Sequence, residues 1–311
     1  MPNLISRRVL TCASAVALAL CLASGASLAQ TKVRVASKID TEGSLLGQII
    51  IQVLEAGGIK TDNKLQLGNT KIVRTAITAG EIDIYPEYTG NGAFFFSDEK
   101  NPAWKNAQAG FEKVRALDGE KNRIVWLEPS PANNTWAIAI RKDVAAANKL
   151  QSLQDLGPWL ARGGKFKLAA SAEFVERPDA LPAFQAAYGF KLTQDQLLTL
   201  AGGDTAVTVK AAAEQTSQVN AAMAYGTDGP VAALGLVILD DPKGVQPIYA
   251  PAPTVRADVL AQHPQMRSLL APVFKALDGT TLQTLNAKIA LEGQDAKQVA
   301  AVWLKAKGFV K

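Results

Sequence analysis

Cysteine and histidine are almost absent from this chain. Of its 311 residues two are cysteine and one is histidine. Ser-His-Asp and Cys-His arrangements therefore have little material, and a zinc site is nearly excluded for the same reason. The single histidine, His263, lies in a polar AQHPQ context that reads as a surface helix end. No G-x-x-x-x-G-K-[ST] occurs, and Thr89-Gly90-Asn91-Gly92 lacks the third glycine of the dinucleotide fingerprint, so it reads as a loop. Paired carboxylates such as Asp83 and Glu87 suit acid–base chemistry in principle, but most such pairs in loops are structural or surface groups. No catalytic residue, metal or cofactor is expected. Beyond the N-terminus no run approaches 18 uninterrupted apolar residues, so the rest of the chain is not expected to span a membrane.

What is present begins with an export signal. Arg7 and Arg8 form a short basic region, followed by the apolar run Val9 to Leu22 and a stretch of small residues ending Ser27-Leu28-Ala29. Cleavage is expected after Ala29, making residues 1–29 a signal peptide. Both cysteines, Cys12 and Cys21, fall inside it. The mature chain would carry no thiol and no disulfide. Leu20 before Cys21 does not suit a lipoprotein signal, so a free protein in the periplasm of a Gram-negative cell is expected. Loss of Arg7 and Arg8 lowers the formal charge from +5 to about +3. The remaining basic residues are scattered, which describes a solvated surface and not a nucleic-acid stripe.

The first half reads as alternating strands and helices. Residues 32–37 alternate polar and apolar, 45–56 carry apolar residues at helical spacing up to Gly57-Gly58, 64–67 form a short strand, 70–79 a helix and 82–85 a strand. That is the grammar of an α/β sheet. The middle repeats it, with strands expected at 135–140, 167–170, 220–225 and 236–239 and helices at 181–188 and 207–215. From Ala257 the chain turns helical, at 257–262, 266–277, 281–291 and 295–307. Two α/β units imply two lobes with a cleft, where pockets favour forming.

Tyrosine is rare, and its placement is informative. Tyr85, Tyr88, Tyr188, Tyr225 and Tyr249 are all there are. Four of the five lie at strand ends or in loops beside Pro, Gly, Thr or Asp, where rings line clefts or pack half-buried.

Several blocks carry a resemblance: Ser37-Lys38-Ile39-Asp40-Thr41-Glu42, Leu54-Glu55-Ala56-Gly57-Gly58, the run Ala79 to Gly90 containing GEIDIYPEYTG, Asn133-Asn134-Thr135-Trp136-Ala137, Ala224-Tyr225-Gly226-Thr227-Asp228-Gly229, and the run Pro247 to Pro253. In their order and spacing the chain resembles the substrate-binding proteins of osmoprotectant (glycine betaine/choline-type) ABC transporters, most closely the OsmF-like branch, over essentially the whole mature chain. The resemblance implies a type II periplasmic binding fold, with two α/β lobes, a cleft and a two-strand hinge. Lobe one would comprise residues 30–136 and 247–311, lobe two residues 137–246. The first crossing is placed near residues 135–139 and the second near 245–251.

The family's aromatic box falls on Tyr88, Trp136, Tyr225 and Tyr249. A trimethylammonium group cannot donate a hydrogen bond, and ring faces attract it through their quadrupole. Lys38, Thr41, Thr89 and Arg177 are the candidate donors to a ligand carboxylate; Lys38 and Arg177 read equally as surface or salt-bridged groups. The sequence departs from relatives at Ala180, Ala183, Phe174, Gly226 and Thr89-Gly90-Asn91. The expected partners are a small quaternary amine or zwitterion and the transporter's permease in the inner membrane, with the binding protein a monomer. Other readings stay open: an amino acid or another small zwitterion as ligand, an exported enzyme on a two-lobe scaffold, or a ligand-sensing partner of a membrane receptor.

Overall fold

In the segment VRVASK only Arg34 escapes full burial, which makes it a sheet strand covered on both faces. A computed structural model describes residues 32–311; the expected signal peptide lies outside the described residues. In chain order the strands are β1 (Val33–Lys38), β2 (Thr61–Gly68), β3 (Ile84–Tyr88), β4 (Ile124–Trp126), β5 (Trp136–Arg141), β6 (Leu168–Ser171), β7 (Leu197–Leu200), β8 (Ala221–Tyr225), β9 (Leu236–Ile238) and β10 (Pro251–Arg256). They form two five-stranded sheets, ordered β2-β1-β3-β10-β4 and β7-β6-β8-β5-β9. β1 runs parallel to β2 and β3, whereas β10 is antiparallel to β3 and β4. The second sheet mirrors this, with β6 parallel to β7 and β8, and β5 antiparallel to β8 and β9.

The chain passes from the first sheet to the second over residues 127–135 and returns over residues 239–250. The two passages are stitched together: Asn134 N–H donates to the Tyr249 carbonyl at 2.9 Å, Ser130 N–H to the Pro251 carbonyl at 2.8 Å, and Tyr249 N–H to Asn133 Oδ1 at 2.8 Å. Trp136, read from the sequence as the last residue of lobe one, already pairs with Tyr225 inside the second sheet.

The helix after β1, Thr41–Ala56, starts four residues earlier than its apolar spacing suggests, because Asp40 caps it by accepting from Gly43 N–H at 2.7 Å. Its buried stripe of Leu45, Leu46, Ile49, Ile50, Val53 and Leu54 anchors the larger core, on which the C-terminal helix Ala296–Ala306 packs. It ends at Gly57-Gly58, and Gly58 takes the left-handed φ of 81°. Helix Thr70–Thr78 is capped by Asn69.

Several elements escaped the sequence reading, among them the helices Lys142–Asn148 and Leu153–Ala161, the strand β7 and the three that follow. Helix Ala107–Asn122 has a weak apolar pattern. The short strand β4 has only three residues. β10 carries Pro251 and Pro253 in mid-sheet, where proline normally argues against a strand. The prolines fit because only their carbonyls are used on that side: Leu127 N–H donates to the Pro253 carbonyl, as Ser130 N–H does to that of Pro251.

A buried ion pair joins the outer elements of the first sheet. Asp118, on helix Ala107–Asn122, is 0 % exposed and accepts from Arg74 Nη1 and Nη2 (2.8 and 2.6 Å), Trp126 Nε1 (2.7 Å) and Asn122 Nδ2 (2.8 Å). Removing one member of a buried pair strands the other, at about 3–5 kcal/mol. Arg74→Met should lower the unfolding free energy by about that amount in urea melts. A loss below about 1 kcal/mol would show that Trp126 and Asn122 satisfy Asp118 by themselves.

Candidate functional site

The register of β5 and β8 sets Trp136 opposite Tyr225, the first residue of one strand beside the last of the other. The same rule places Tyr88, the last residue of β3, opposite Pro251 at the start of β10, two residues after Tyr249. Strand ends thus deliver four rings to the gap between the sheets. Tyr88, Trp136, Tyr225 and Tyr249 all line one cavity of about 20 Å³, together with Lys38, Asp40, Thr70, Asn91 and Asn134. Trp136 is the hub. Its ring centroid lies 6.4 Å from that of Tyr225 at 18°, 5.8 Å from Tyr249 at 57°, and 5.7 Å from Phe174, which meets it edge-on at 73°.

Each ring is held at its polar end or its flank. The Tyr88 hydroxyl donates to Glu42 Oε1 at 3.0 Å. Tyr225 is set by Asp228, whose carboxylate accepts from Tyr225 N–H at 2.7 Å and from the Thr205 hydroxyl at 2.9 Å. Trp136 Nε1 is buried and finds no hydrogen-bond partner among the described residues. The Tyr225 hydroxyl is near enough to feel that donor, but no bond of good geometry forms.

The four candidate donors separate. Lys38 lines the cavity: its ammonium donates to Glu87 Oε1 at 2.7 Å and stands 4.6 Å from the Tyr88 ring centroid. Arg177 stands behind it, with its guanidinium carbon 4.5 Å from Trp136 and 4.2 Å from Phe94. Asp179 holds that guanidinium with two 2.7 Å bonds, and it donates to Asn91 Oδ1 at 2.8 Å. Lys38 is 7 % and Arg177 4 % exposed, so neither is the solvated surface group that the sequence left open. Thr41 does not line the cavity; its hydroxyl reaches across to Asp204 at 3.2 Å. Thr89 does not line it either. Its hydroxyl donates to the Ile248 carbonyl at 3.0 Å and accepts from Ala250 N–H at 3.1 Å, tying β3 to the returning passage.

Sequence reasoning missed Asp40, Thr70, Asn91 and Asn134 as lining residues. Asp40 and Asn134 lie inside the quoted blocks and Asn91 directly follows one, so their proximity to Tyr88 and Trp136 was the available signal. Burial raises the Asp40 carboxyl to about 6 against the pull of the Gly43 N–H and Lys38. Burial likewise raises Asp228, to about 7, against its bonds to Tyr225 and Thr205.

Two sheets joined by paired passages, with a ring-lined cavity between them, define the class: a type II periplasmic binding protein. The chain belongs to the family described as the substrate binding domain of the ABC-type glycine betaine transport system, whose model matches residues 31–306. It is 70% identical over 283 residues to the glycine betaine-binding protein YehZ of Escherichia coli K12, covering 91% of this chain and 93% of that one. It is 33% identical over 299 residues to a glycine-betaine-binding protein of Pseudomonas aeruginosa, covering 92% and 93%. The solved structure of apo YehZ from E. coli matches with a TM-score of 0.66 over 90% of this chain and all of that one. A lactococcal OpuAC in closed form with glycine betaine, 13% identical, shares the fold with a TM-score of 0.60 over 90% of this chain and all of that one. Among the described residues no helix is long and apolar enough to cross a membrane.

Asp40 and Asp228, with Glu42 raised in the same direction by burial, give a pH dependence of known sign. A carboxyl whose folded pKa exceeds its unfolded value of about 4 binds its proton more tightly in the fold. Its contribution to stability is complete below the unfolded value and fades as pH rises through about 6 for Asp40 and about 7 for Asp228. Asp143, Asp155, Asp258 and Asp278, held low by hydrogen bonds, act in the opposite sense only at more acid pH. The thermal midpoint should therefore rise on going from about pH 8 to about pH 5. Asp228→Asn should flatten the upper part of that curve. A midpoint that falls over this interval contradicts the assignment.

Proposed function

We propose that this chain is the periplasmic solute-binding protein of an ABC importer and that it carries a small quaternary ammonium solute of the glycine betaine or choline type. The convergence of Tyr88, Trp136, Tyr225 and Tyr249 on one cavity carries this reading. A quaternary head offers no N–H, so a polar pocket gains little from it, whereas each ring face contributes roughly 0.5–2 kcal/mol. The unpartnered Trp136 Nε1 suits an acceptor oxygen on the ligand's tail, either carboxylate or hydroxyl. The E. coli and P. aeruginosa relatives, both glycine betaine-binding proteins by name, support the same ligand class. They are names of binding proteins, and this chain too catalyses nothing.

The two lobes of the proposal are residues 30–135 with 247–311, and residues 136–246. This sets the boundary one residue earlier than the sequence suggested, since Trp136 pairs in β5. Ligand binding closes them about the paired passages. The cross-cleft contacts Thr41–Asp204 and Arg177–Asn91 are the latches. A TM-score of 0.66 at 70% identity supports a variable angle between the halves. The chain is exported by its signal peptide, works as a monomer and delivers its solute to the inner-membrane permease.

Calorimetry with choline, glycine betaine, carnitine and proline betaine against a panel of amino acids tests the reading. Tyr225 is the cleanest ring to alter, because Arg177 already stands on Trp136. Tyr225→Leu keeps apolar bulk without the quadrupole and should cost about 1–2 kcal/mol, roughly five- to thirtyfold in affinity. Tyr225→Phe should cost clearly less. Equal affinity for the Leu and Phe variants would reduce the box to shape, and binding of amino acids alone would overturn the ligand class.

A further inference from the structure

We infer that Gly229, outside the ligand cavity, limits how far the two lobes close and thereby sets affinity for the ligand. The inference rests on the reading of two lobes that close on a quaternary amine. After β8 the chain turns through Gly226-Thr227-Asp228-Gly229 into the short helix Pro230–Ala233. This turn of lobe two lies against helix Gly279–Ala290 of lobe one. Gln283, Asn286 and Ala287 are spaced to share one face of that helix, and this face meets the turn. Gln283 Nε2 donates to the Gly226 carbonyl at 3.0 Å, and Asn286 Nδ2 to the Thr227 carbonyl at 3.2 Å. Gly229 has no room for a side chain. A Cβ there would fall on the Gln283 carbonyl oxygen and 2.8 Å from Ala287 Cβ. A carbonyl fixed in a helical ladder cannot swing aside as a long side chain can. Gly229, Gln283 and Ala287 line no part of the ring cavity; they border a separate groove of about 500 Å³.

The turn moves with the cleft. Asp228, beside Gly229, accepts from the Thr205 hydroxyl at 2.9 Å. Thr205 follows Asp204, whose carboxylate holds Thr41 of lobe one. When Thr41 and Asp204 part, the turn is carried away from helix Gly279–Ala290 and the space at Gly229 opens. A side chain at this position is accommodated in the open form and collides in the closed one. It shifts the balance toward the open form, and the apparent affinity falls by the same factor.

The backbone gives a second reason for glycine here. With φ at −62° and ψ at −35° the residue is ordinary right-handed backbone, so no left-handed turn demands glycine. Pro230 follows, however, and a Cβ before proline disfavours this conformation. That penalty acts alike in the open and closed forms, so it lowers stability and leaves affinity unchanged.

The test is calorimetry with choline and glycine betaine on the wild type, Gly229→Ala, Pro230→Ala and Gly229→Ala/Pro230→Ala, with thermal melts confirming folding. The last two remove the restriction imposed by proline. In either background the added methyl should weaken both ligands about three- to thirtyfold and leave the ratio between them unchanged, because no cavity group is altered. At a ligand concentration that closes the wild type, small-angle scattering should show a larger radius of gyration for Gly229→Ala. Gln283→Ala, at an exposed position, removes one bond of the closed junction and should also weaken both ligands; if Gly229→Ala does not fold, this variant decides, and unchanged affinity in it would overturn the inference. A methyl that costs affinity only when Pro230 is present would assign the glycine to the turn and overturn it too. So would unchanged affinity in both backgrounds, or an altered preference between the two ligands. If the wild type binds neither amine, the ligand reading itself fails, and the inference with it.

Discussion

The carboxylate of Glu42 is buried where four parts of the chain meet. It sits in the first turn of helix Thr41–Ala56 and accepts from the Tyr88 hydroxyl at 3.0 Å, Asn134 Nδ2 at 2.7 Å and Asn286 Nδ2 at 2.8 Å. Burial raises its pKa while these donors pull it down, so it remains a hydrogen-bonded hub in a dry setting. Tyr88 belongs to the box, Asn134 to the outgoing passage and Asn286 to a C-terminal helix. Asn134 also donates to the Thr227 hydroxyl at 2.7 Å, beside the segment that fixes Tyr225. The orientation of two rings and the place where the chain changes sheets are thus coupled to one carboxyl group. A satisfied buried polar network of this kind specifies a single arrangement, and losing one partner leaves the others unpaired.

The same economy governs the charges around the cavity. Asp40, Glu42 and Glu87 surround the first-sheet side, and Lys38 is the basic residue placed among them. On the far side Arg177 is shared by Asp179 and Glu173, 2.7 and 3.1 Å away. Both cations lie on ring faces, so the box is electrostatically complementary to positive charge of any origin, the protein's own included.

Much of this architecture was legible in the sequence because local chemistry and burial agree. Gly57-Gly58 closes a helix, and the helices at 181–188 and 257–262 fall where their spacing put them, whereas the strand read at 32–37 as half-buried is covered on both faces. β10 was illegible because two prolines are tolerated only through tertiary pairing, and helix Ala107–Asn122 because its apolar face is thin. The four rings could be named as a set from the resemblance, but the neighbours that tune them could not. Asp40 carries no assigned role in the sequence, Thr89 reads as a donor, and Arg177 as a donor or a surface or salt-bridged group, until the fold shows which atoms each one meets. Lys38 was recognised as a site residue, yet that its charge faces a ring and not an open pocket depends on Glu87, 49 residues away in sequence.

The central claim is that rings from both sheets together form one seat for a cation. A crystal structure of the protein with choline bound tests it most directly. The account predicts the quaternary nitrogen within about 6 Å of ring centroids from both sheets, Tyr88 and Trp136 among them. Choline density lying elsewhere, for example in the outer groove of about 280 Å³ beside Phe94 and Glu176 with the four-ring cavity unchanged, would contradict it.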